Sequence, residues 1–360
     1  MSQNNKKNKV RIAVIGYGGM GSWHCQMIQK MEELELAGIY DILEERRQAA
    51  EEKQIHAYSS LEELLADPTV TIVTVAIPNH FHQPVCIKAM EAGKNVVCEK
   101  PVALNHEELQ DMIDASKANN VIFTVHQNRR WDEDYRIMKH IYDEGTLGKV
   151  FRIESRVHGS RGIPGDWRNK KECGGGMVLD WGVHLLDQIM QMIGKKVISI
   201  YTDLSFVTNE NCDDGFTVTI KFEDDLTVMV EVGTSNFINL PRWYMLGENG
   251  SAMINDWSLD GKIVMVSDWE KMDAVPIVAG AGLTKTMAPR TDETIKEYPL
   301  PRQECDLREF YRNVIAAISG EAEQLIKHDE LMRVMKLMEA LFESAEKNVV
   351  ITDFEERCRK

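Results

Sequence analysis

The stretch from Val10 to Met31 reads VRIAVIGYGGMGSWHCQMIQKM. Its apolar first part, residues 10–15, predicts a strand of a parallel sheet, because such strands are buried on both faces. The next part, residues 16–21, fits the glycine pattern G-x-G-x-x-G and precedes a segment that predicts a helix. Free N–H groups at the start of a helix bind phosphate well. The stretch therefore predicts a strand, turn and helix that bind the pyrophosphate of a dinucleotide.

The residues of this turn have separate predicted tasks. Gly16 permits the tight turn, Gly18 lets the backbone approach the pyrophosphate, and Gly21 lets the helix pack closely on the strand. Asp41 ends the next predicted strand, 20 positions after Gly21, where a carboxylate would bind the adenosine ribose. The other residues expected to contact this end of the cofactor are Tyr17, Gly19, Met20 and Ile42.

Asp41 also bears on which dinucleotide binds. A carboxylate there repels the 2′-phosphate of NADP, and the residue that follows it is Ile42 rather than an arginine. Arg46 and Arg47 come about one helical turn later, and we expect them on the solvated face of the helix Ile42–Lys53. The sequence therefore favours NAD over NADP.

Strands and helices alternate up to residue 125, which predicts a parallel sheet covered by helices on both faces. Among these elements are a helix Leu61–Ala66, opened by Ser60 and Glu63 in capping-box spacing, and a strand Asn95–Cys98. Beyond residue 126 the predicted strands follow one another closely, as in antiparallel sheets. The expected fold class is α/β. Residues 1–125 would form an NAD-binding Rossmann domain with a doubly wound parallel sheet. Residues 126–360 would form a substrate-binding and oligomerisation α+β domain with a large, mostly antiparallel, open-faced sheet.

Three features of the second half carry further expectations. Residues Met177 to Ile193 predict one continuous helix, introduced by Gly174–Gly176. Residues 268–302 have weak periodicity and are expected to form a long surface excursion. A sheet with helices on one face leaves the other face without cover. We therefore expect a second copy to pack there, giving a homodimer or tetramer.

The composition excludes several classes of function. With 57 acidic and 42 basic residues the net charge is −15, and the basic cluster is Lys6–Lys9, so no nucleic-acid or anionic-membrane surface is expected. No apolar stretch approaches the ~18 residues of a membrane span, and the first residues lack the apolar region of a secretory signal. Seven scattered cysteines favour reduced thiols in the cytoplasm. No metal is expected, because His80-x-His82 is the only nearby ligand pair.

Two further motifs carry groups that could act on a substrate. Glu99-Lys100-Pro101 follows a predicted parallel strand, at the sheet edge where open α/β folds bind their ligands. Asp180 and His184 are spaced i, i+4 on the predicted helix and would share one face. On spacing alone, Lys100 could equally be a solvated strand-end residue, and the Asp180–His184 pair could be a structural contact.

These motifs occur together and in a fixed order. The order is the glycine turn, Ala76-Ile77-Pro78-Asn79-His80-x-His82, Glu99-Lys100-Pro101, Gly174-Gly175-Gly176 and Asp180-x-x-x-His184. In this combination the sequence resembles the Gfo/Idh/MocA oxidoreductase family, which includes glucose–fructose oxidoreductase and inositol dehydrogenases. The resemblance extends from residue 10 to about residue 345, apart from residues 268–302.

The resemblance implies a catalytic set of Lys100, Asp180 and His184. In this assignment His184 is the base for the hydroxyl proton, with Asp180 as its orienting partner, and Lys100 stabilises charge on the reacting oxygen. Some family members use the lysine as the proton carrier, so the division of roles stays open. The resemblance further implies cofactor contacts from Pro78, Asn79, His82, Glu99, Lys100, Gln127, Trp167 and Arg168. Substrate contacts are expected from Lys100, Arg156, His158, Asp180, Trp181 and His184.

The function that the resemblance implies is hydride transfer between NAD and a secondary hydroxyl of a sugar, glycoside or cyclitol. One variant holds NAD tightly and oxidises the 3-position of a glycoside. The alternative is a catalytically silent NAD(H)-binding regulator or structural relative, and the retention of Lys100, Asp180 and His184 argues against it. A third candidate, reduction of a biliverdin-like or dihydrodiol substrate, is not favoured by an aspartate–histidine pair.

Overall fold

Five short parallel strands form the first sheet, and most of their side chains are buried. The computed structural model describes residues 9–359, so the Lys6–Lys9 cluster lies almost wholly outside the described residues. The strands are β1 (Val10–Ile15), β2 (Leu34–Tyr40), β3 (Ile72–Val75), β4 (Asn95–Cys98) and β5 (Phe123–Val125). The helices between and after them are α1 (Gly19–Gln29), α2 (Glu44–Glu51), α3 (Leu61–Ala66), α4 (His82–Glu91) and α5 (His106–Ala118). The strand order β2-β1-β3-β4-β5 confirms the predicted Rossmann sheet.

The second half is built around a sheet of eight strands. They are β6 (Val150–His158), β7 (Val197–Ser205), β8 (Gly215–Phe222), β9 (Thr227–Gly233), β10 (Trp243–Gly247), β11 (Gly250–Ile254), β12 (Gly261–Val266) and β15 (Ile295–Tyr298), while β13 (Ile277–Ala279) and β14 (Gly282–Thr284) form a separate hairpin. The order is β15-β12-β11-β10-β6-β9-β8-β7, antiparallel except between β6 and β9. The helices are α6 (Glu133–Asp143), α7 (Val183–Met192), α8 (Arg308–Ile318), α9 (His328–Lys347) and α10 (Phe354–Arg357). The predicted large, mostly antiparallel sheet is confirmed.

Local sequence explains where two of the first-half helices begin. The Ser60 side chain accepts a hydrogen bond from the Glu63 N–H at the start of α3, and Asn105 accepts one from the Glu108 N–H at the start of α5. Short polar side chains at these positions satisfy N–H groups that the first helical turn leaves free. The predicted helix Leu61–Ala66 is therefore found with the same ends.

One sequence-based expectation for the second half needs correction. The segment Met177–Ile193 is not one regular helix, because a single turn of π-helix, Val178–Gly182, precedes α7. Residues 268–302, expected as a long surface excursion, are mostly exposed. They also contain the hairpin β13–β14, and β15 joins the edge of the large sheet beside β12. Short strands with exposed side chains have too little apolar patterning to be recognised from sequence.

Helices from the end of the chain pack back on the first half. The Tyr311 hydroxyl, on α8, lies 3.1 Å from Oγ1 of Thr74 on β3. Nε2 of His328, at the start of α9, lies 2.8 Å from the carbonyl oxygen of Phe123 on β5. Among residues 9–359, none of the helices is both long and apolar enough to cross a membrane.

Candidate active site

The glycine turn between β1 and α1 has a shape that side chains would not fit. Gly16 has a φ of +91°, and a Cβ there would overlap the carbonyl oxygen of Ala76. A Cβ on Gly21 would overlap the carbonyl oxygen of Gly16. Both positions therefore require glycine, one for its backbone conformation and one for close packing of the helix on the turn.

The start of α1 offers N–H groups that an anion could bind. The helix begins at Gly19, and the side chains around it provide neither a cap at Gly18 nor an acidic residue in the first turn. Space beside the Gly19 Cα is open. Met20 and Ile42 are exposed on either side of this region. An uncapped helix start with open space in front of it fits a pyrophosphate group.

Asp41 lies at the end of β2, and its carboxylate is already hydrogen-bonded. Oδ2 accepts from the Tyr17 N–H at 2.7 Å, and Oδ1 accepts from the Leu43 N–H at 2.9 Å. Nη1 of Arg46 lies 3.2 Å from Oδ2, and Nη1 of Arg47 donates to the Asp41 carbonyl oxygen at 2.6 Å. The expectation that no arginine lies beside Asp41 is therefore wrong. The helix begins later than expected, so its first turn brings both guanidiniums back to the strand end.

The two motifs proposed to act on a substrate meet in the structure. Lys100, just after β4, donates from Nζ to the Asp180 carbonyl oxygen at 2.9 Å and to Asp180 Oδ1 at 3.1 Å. The other carboxylate oxygen of Asp180 lies 3.4 Å from Nε of Arg168. The Lys100 and Asp180 side chains are 17% and 16% exposed, so each remains accessible to a ligand. A carboxylate held between two cations fixes the lysine ammonium where the two halves meet.

His184 lies in the same region but does not pair with Asp180. Its side chain is buried, and Nδ1 has no hydrogen-bond partner among the described residues. Burial, and then the positive charges of Lys100 and Arg129, hold the pKa of His184 well below its usual value. The π-turn adds a residue to the helical repeat, so side chains four positions apart are not stacked as in an α-helix. The expected role of Asp180 as the orienting partner of His184 is therefore replaced by its contact with Lys100.

Glu99 is turned into the interior. Its Oε1 accepts hydrogen bonds from Nε2 of His24 and Nδ1 of His126, both at 2.8 Å. The opposite ring nitrogen of His24 lies 2.9 Å from the Tyr311 hydroxyl. Burial acts to raise the pKa of Glu99, but His126 and His24 outweigh it and hold that pKa well below its usual value. In this conformation the Glu99 carboxylate belongs to a buried network, and its expected contact with the cofactor stays a prediction.

Two groups of histidines bear on the question of metal. His24, Glu99 and His126 are the group within residues 9–359 whose ligand atoms lie close enough together to hold an ion. Their hydrogen bonds already account for that closeness. His82, expected on the cofactor, is fully buried, and its ring nitrogens lie 2.9 Å from the carbonyl oxygens of Ile77 and Pro101. His82 therefore joins two loops beneath the site and does not line it.

The triple-glycine loop is shaped by residues distant in sequence. A Cβ on Gly175 would overlap the carbonyl oxygen of Arg168, and a Cβ on Gly176 would overlap Oδ1 of Asp213. Nδ2 of Asn79 donates to the Gly174 carbonyl oxygen at 2.9 Å. The loop is thus packed between the first half and β8, and a side chain at either glycine would push it away.

Asp213 is a site residue that sequence reasoning missed. Its Oδ2 accepts from the Val178 N–H at 2.8 Å, and its carbonyl oxygen accepts from the Met177 N–H at 3.0 Å. Burial raises the pKa of Asp213 to about 7. A carboxylate at this place caps the helical turn that carries Asp180. No local signal marks such a cap, because it comes from 35 positions further along the chain.

The remaining residues expected at the cofactor are found on loops and short turns. The Arg168 guanidinium stacks on the Trp167 ring, 4.6 Å from its centroid, and both residues are half-buried. Gln127 is buried, and its Oε1 has no hydrogen-bond partner in the described part of the chain. Pro78 precedes the short turn that carries Asn79. The contacts of these residues with the cofactor stay predictions.

Arg156 and His158, expected at the substrate, lie on the wrong face of the large sheet. Ser155 faces the helices, because its hydroxyl accepts from Arg242 and it pairs across the strands with Trp243. Neighbouring strand residues point to opposite faces, so Arg156 and His158 point away from the helices. Both contact Glu231, at 3.1 Å and 3.2 Å. Sequence alone could not tell which strand face carries the site.

Trp181 does lie at the site, where it forms part of an aromatic and cationic wall. Its ring centroid is 6.0 Å from that of His184, and the Arg129 guanidinium lies 4.2 Å from the indole centroid. Trp257, which sequence reasoning did not single out, lies next along this wall with its centroid 6.1 Å from that of Trp181. Trp257 lies in the loop between β11 and β12. It is an isolated tryptophan in the sequence and belongs to none of the motifs that indicated the site.

Comparison with known proteins agrees with this arrangement. The family model described as an oxidoreductase family with an NAD-binding Rossmann fold matches residues 10–127, and the GFO/IDH/MocA C-terminal domain model matches residues 135–253. The chain belongs to the Gfo/Idh/MocA oxidoreductase family. Lys100 comes from the first matched region and Asp180 from the second, so the candidate site lies where the two regions of the family meet.

Three relatives illustrate the range of this family around the chain. The structure of an NAD-binding protein from Listeria innocua is 46% identical, with a TM-score of 0.93, and the match covers 96% of this chain and 99% of that one. The scyllo-inositol 2-dehydrogenase (NADP(+)) IolW of Bacillus subtilis is 25% identical over 96% of both chains. The D-glucoside 3-dehydrogenase of Escherichia coli is 27% identical over 68% of this chain and 73% of its own length.

Proposed function

We propose that this oxidoreductase transfers a hydride between NAD and a secondary hydroxyl of a sugar, glycoside or cyclitol. The observation that carries the proposal is the contact of Lys100 Nζ with Asp180, near the buried ring of His184, whose Nδ1 has no hydrogen-bond partner among the described residues. This arrangement supports a role for a positive charge and a neutral imidazole acting on one substrate hydroxyl. An alcohol undergoing oxidation needs both a base for its proton and a charge to stabilise its oxygen.

The chemistry assigns separate tasks to these residues. Bound nicotinamide supplies the acceptor, or in the other direction the donor, of the hydride. The depressed pKa of His184 keeps its ring neutral near pH 7, so it can accept the hydroxyl proton. Lys100 stabilises the oxygen as it loses that proton, and Asp180 holds the ammonium in position. In the reductive direction His184 returns the proton to the oxygen.

NAD is the cofactor that the ribose end supports best. The Asp41 carboxylate is buried at the end of β2 and accepts two backbone N–H groups, so it is fixed where the adenosine ribose would lie. A fixed negative charge disfavours a 2′-phosphate. Arg46 beside it opposes this effect, and a relative that uses NADP belongs to the same family. We therefore propose a preference for NAD that Arg46 weakens.

Three further properties belong to this proposal: the substrate class, the oligomeric state and the location. The relatives named as inositol and D-glucoside dehydrogenases support a polyhydroxylated substrate.

The outward face of the large sheet carries a network of Arg156, Glu231 and His158. We propose that a second copy covers this face as a homodimer or tetramer, which light scattering at micromolar concentration tests. Seven unpaired cysteines suit a reducing cytoplasm.

One experiment tests the activity directly. Purified protein would be incubated with NAD and a panel of monosaccharides, glycosides and cyclitols while NADH absorbance is followed. Cofactor would also be extracted from the protein as isolated, to detect NAD that is held and recycled in place. Hydride transfer from at least one polyol to NAD supports the proposal. Binding of NAD without hydride transfer from any polyol would instead identify a catalytically silent relative.

A further inference from the structure

Trp257 is a large apolar side chain that stays half exposed although it lies beside the candidate active site. Its side chain lies in the loop between β11 and β12 with 51% of its surface exposed. The Arg242 guanidinium lies 4.8 Å from the indole centroid, and the Arg129 guanidinium lies 5.4 Å from it. The indole is therefore supported by two cations, and much of its surface is left open to solvent.

The support behind this indole is nearly neutral overall. Arg242 is buried, with Nε 3.1 Å from Oδ2 of Asp134. Nη1 of Arg129 lies 2.8 Å from Oδ2 of Asp132. Each guanidinium thus has its own carboxylate, so this wall presents little free charge. It suits an uncharged ligand better than a phosphorylated one.

The loop that carries Trp257 is held in one conformation. The Asn255 N–H donates to the Asp260 carbonyl oxygen at 2.7 Å, and the Asp256 carboxylate accepts from the Ser258 N–H at 2.8 Å. Leu259 closes the turn with a φ of +64° and an N–H bond to the Asp256 carbonyl oxygen at 3.1 Å. A preorganised loop loses little entropy when a ligand binds.

The rings form a continuous series away from the reacting centre. His184 and Trp181 have centroids 6.0 Å apart, and Trp181 and Trp257 have centroids 6.1 Å apart. A single sugar ring placed at Lys100 and His184 would lie against Trp181. The distance from Trp181 to Trp257 is roughly the length of a further ring joined through a glycosidic oxygen.

We propose that Trp257 forms a second subsite, which binds the uncharged aglycone or second sugar ring of a glycoside whose first ring is oxidised. The proposal rests on the proposed function and narrows its substrate class from any polyol to glycosides of two rings. The C–H faces of a sugar, or an aromatic aglycone, pack on an indole face, and stacking contacts of this kind contribute about 0.5–1.5 kcal/mol. A free cyclitol has no group that would reach Trp257.

The test compares selectivity between substrates that differ by one ring. For the wild type, kcat/KM would be measured for methyl glucoside and for a two-ring glycoside such as phenyl glucoside or cellobiose. Trp257→Ala should lower the ratio of two-ring to one-ring kcat/KM by roughly threefold to tenfold, and Trp257→Phe should retain part of it. Trp269→Ala is the matched control, because Trp269 is 57% exposed and also lies under an arginine, but it is in the segment after β12. This control should keep the wild-type ratio.

A binding measurement separates the possible failures. Calorimetry with the NAD-loaded protein should show weaker binding of the two-ring glycoside to Trp257→Ala than to Trp269→Ala. If the wild type oxidises sugars but the two variants show the same selectivity, the subsite is overturned and the proposed function stands. If the wild type neither oxidises nor binds any sugar or glycoside, both the proposed function and the subsite are overturned.

Discussion

The nucleotide end and the catalytic end of the candidate site are built over different distances along the chain. The glycine turn is formed by six consecutive residues, and its shape follows from contacts between Gly16, Gly21 and the adjoining strand end. The catalytic contact joins Lys100 to Asp180, which are 80 positions apart, and Asp213 supports it from a third segment. A local motif fixes the first end, whereas packing of the two halves fixes the second.

This difference predicts how each end responds to substitution. At the nucleotide end, a change should alter the affinity for the cofactor and leave the chemical step largely intact. At the catalytic end, a change should alter the rate of hydride transfer and leave cofactor binding intact. Substitutions at five positions test the separation, beginning with the largest expected effect.

The largest effect is expected from His184→Ala. Removing a general base typically lowers rates by 10²–10⁴-fold, so single-turnover hydride transfer should slow by at least about two orders of magnitude. NAD affinity, measured by fluorescence, should change little, because His184 lies near Lys100 and is not part of the glycine turn. His140→Ala, in the last turn of α6, is the matched histidine control. Near-normal turnover in His184→Ala would remove it from the mechanism and move proton transfer to Lys100.

Asp213→Ala should give the next largest effect, on both stability and rate. The variant leaves the buried Val178 N–H without its acceptor, which costs about 1–3 kcal/mol of unfolding free energy. It also loosens the turn that places Asp180, so turnover should fall by roughly tenfold to a hundredfold. Denaturant unfolding and single-turnover kinetics measure the two effects. Unchanged turnover in a destabilised variant would mean that Asp213 supports the fold and does not position the site.

The pH dependence of stability gives Asp213 a second readout. Burial raises its pKa to about 7 from the usual 3.8. Because the folded-state pKa is the higher one, the stabilisation from its bound proton is fully present below pH 3.8 and is lost as the pH rises through about 7. Asp213→Asn cannot titrate. The unfolding free energy of the wild type minus that of this variant should therefore decrease between these two pH values.

The sequence predicted local elements better than contacts between distant segments, for physical reasons. The strand Asn95–Cys98 and the helix Leu61–Ala66 have the predicted ends, because local apolar runs and a serine cap determine them. The sequence motifs indicated Lys100, Asp180 and His184 as site residues, and the structure brings these three residues into one region. Their pairing was predicted wrongly, because a π-turn changes which side chains face each other. Which face of a strand, or which distant carboxylate, serves the site depends on tertiary packing.

Arg46→Ala tests the nucleotide end with a smaller expected effect. Its guanidinium lies against Asp41 and is 45% exposed, so its contact with a 2′-phosphate is partly screened by solvent. The variant should bind NADP roughly threefold to tenfold more weakly and should bind NAD about as well. Arg47→Ala is the control, since Arg47 donates to backbone carbonyl oxygens. Equal losses of NAD and NADP affinity would show that Arg46 only supports the loop. An Asp41→Ala variant should bind NAD more weakly and therefore show a smaller preference for NAD over NADP.

The smallest effect on turnover is expected from Arg156→Met, and it separates the two faces of the large sheet. Arg156 lies opposite Glu231 on the face turned away from α6 and α7, so its loss should change turnover by less than about twofold. Light scattering should instead reveal weaker self-association, because Glu231 loses one of its partners on the face proposed to meet a second copy. A protein that keeps its oligomeric state but loses turnover tenfold or more would place Arg156 in the active site after all. Weakened association together with lost turnover would mean that the second copy completes the site, and the catalytic end would then depend on contacts between chains as well as within one.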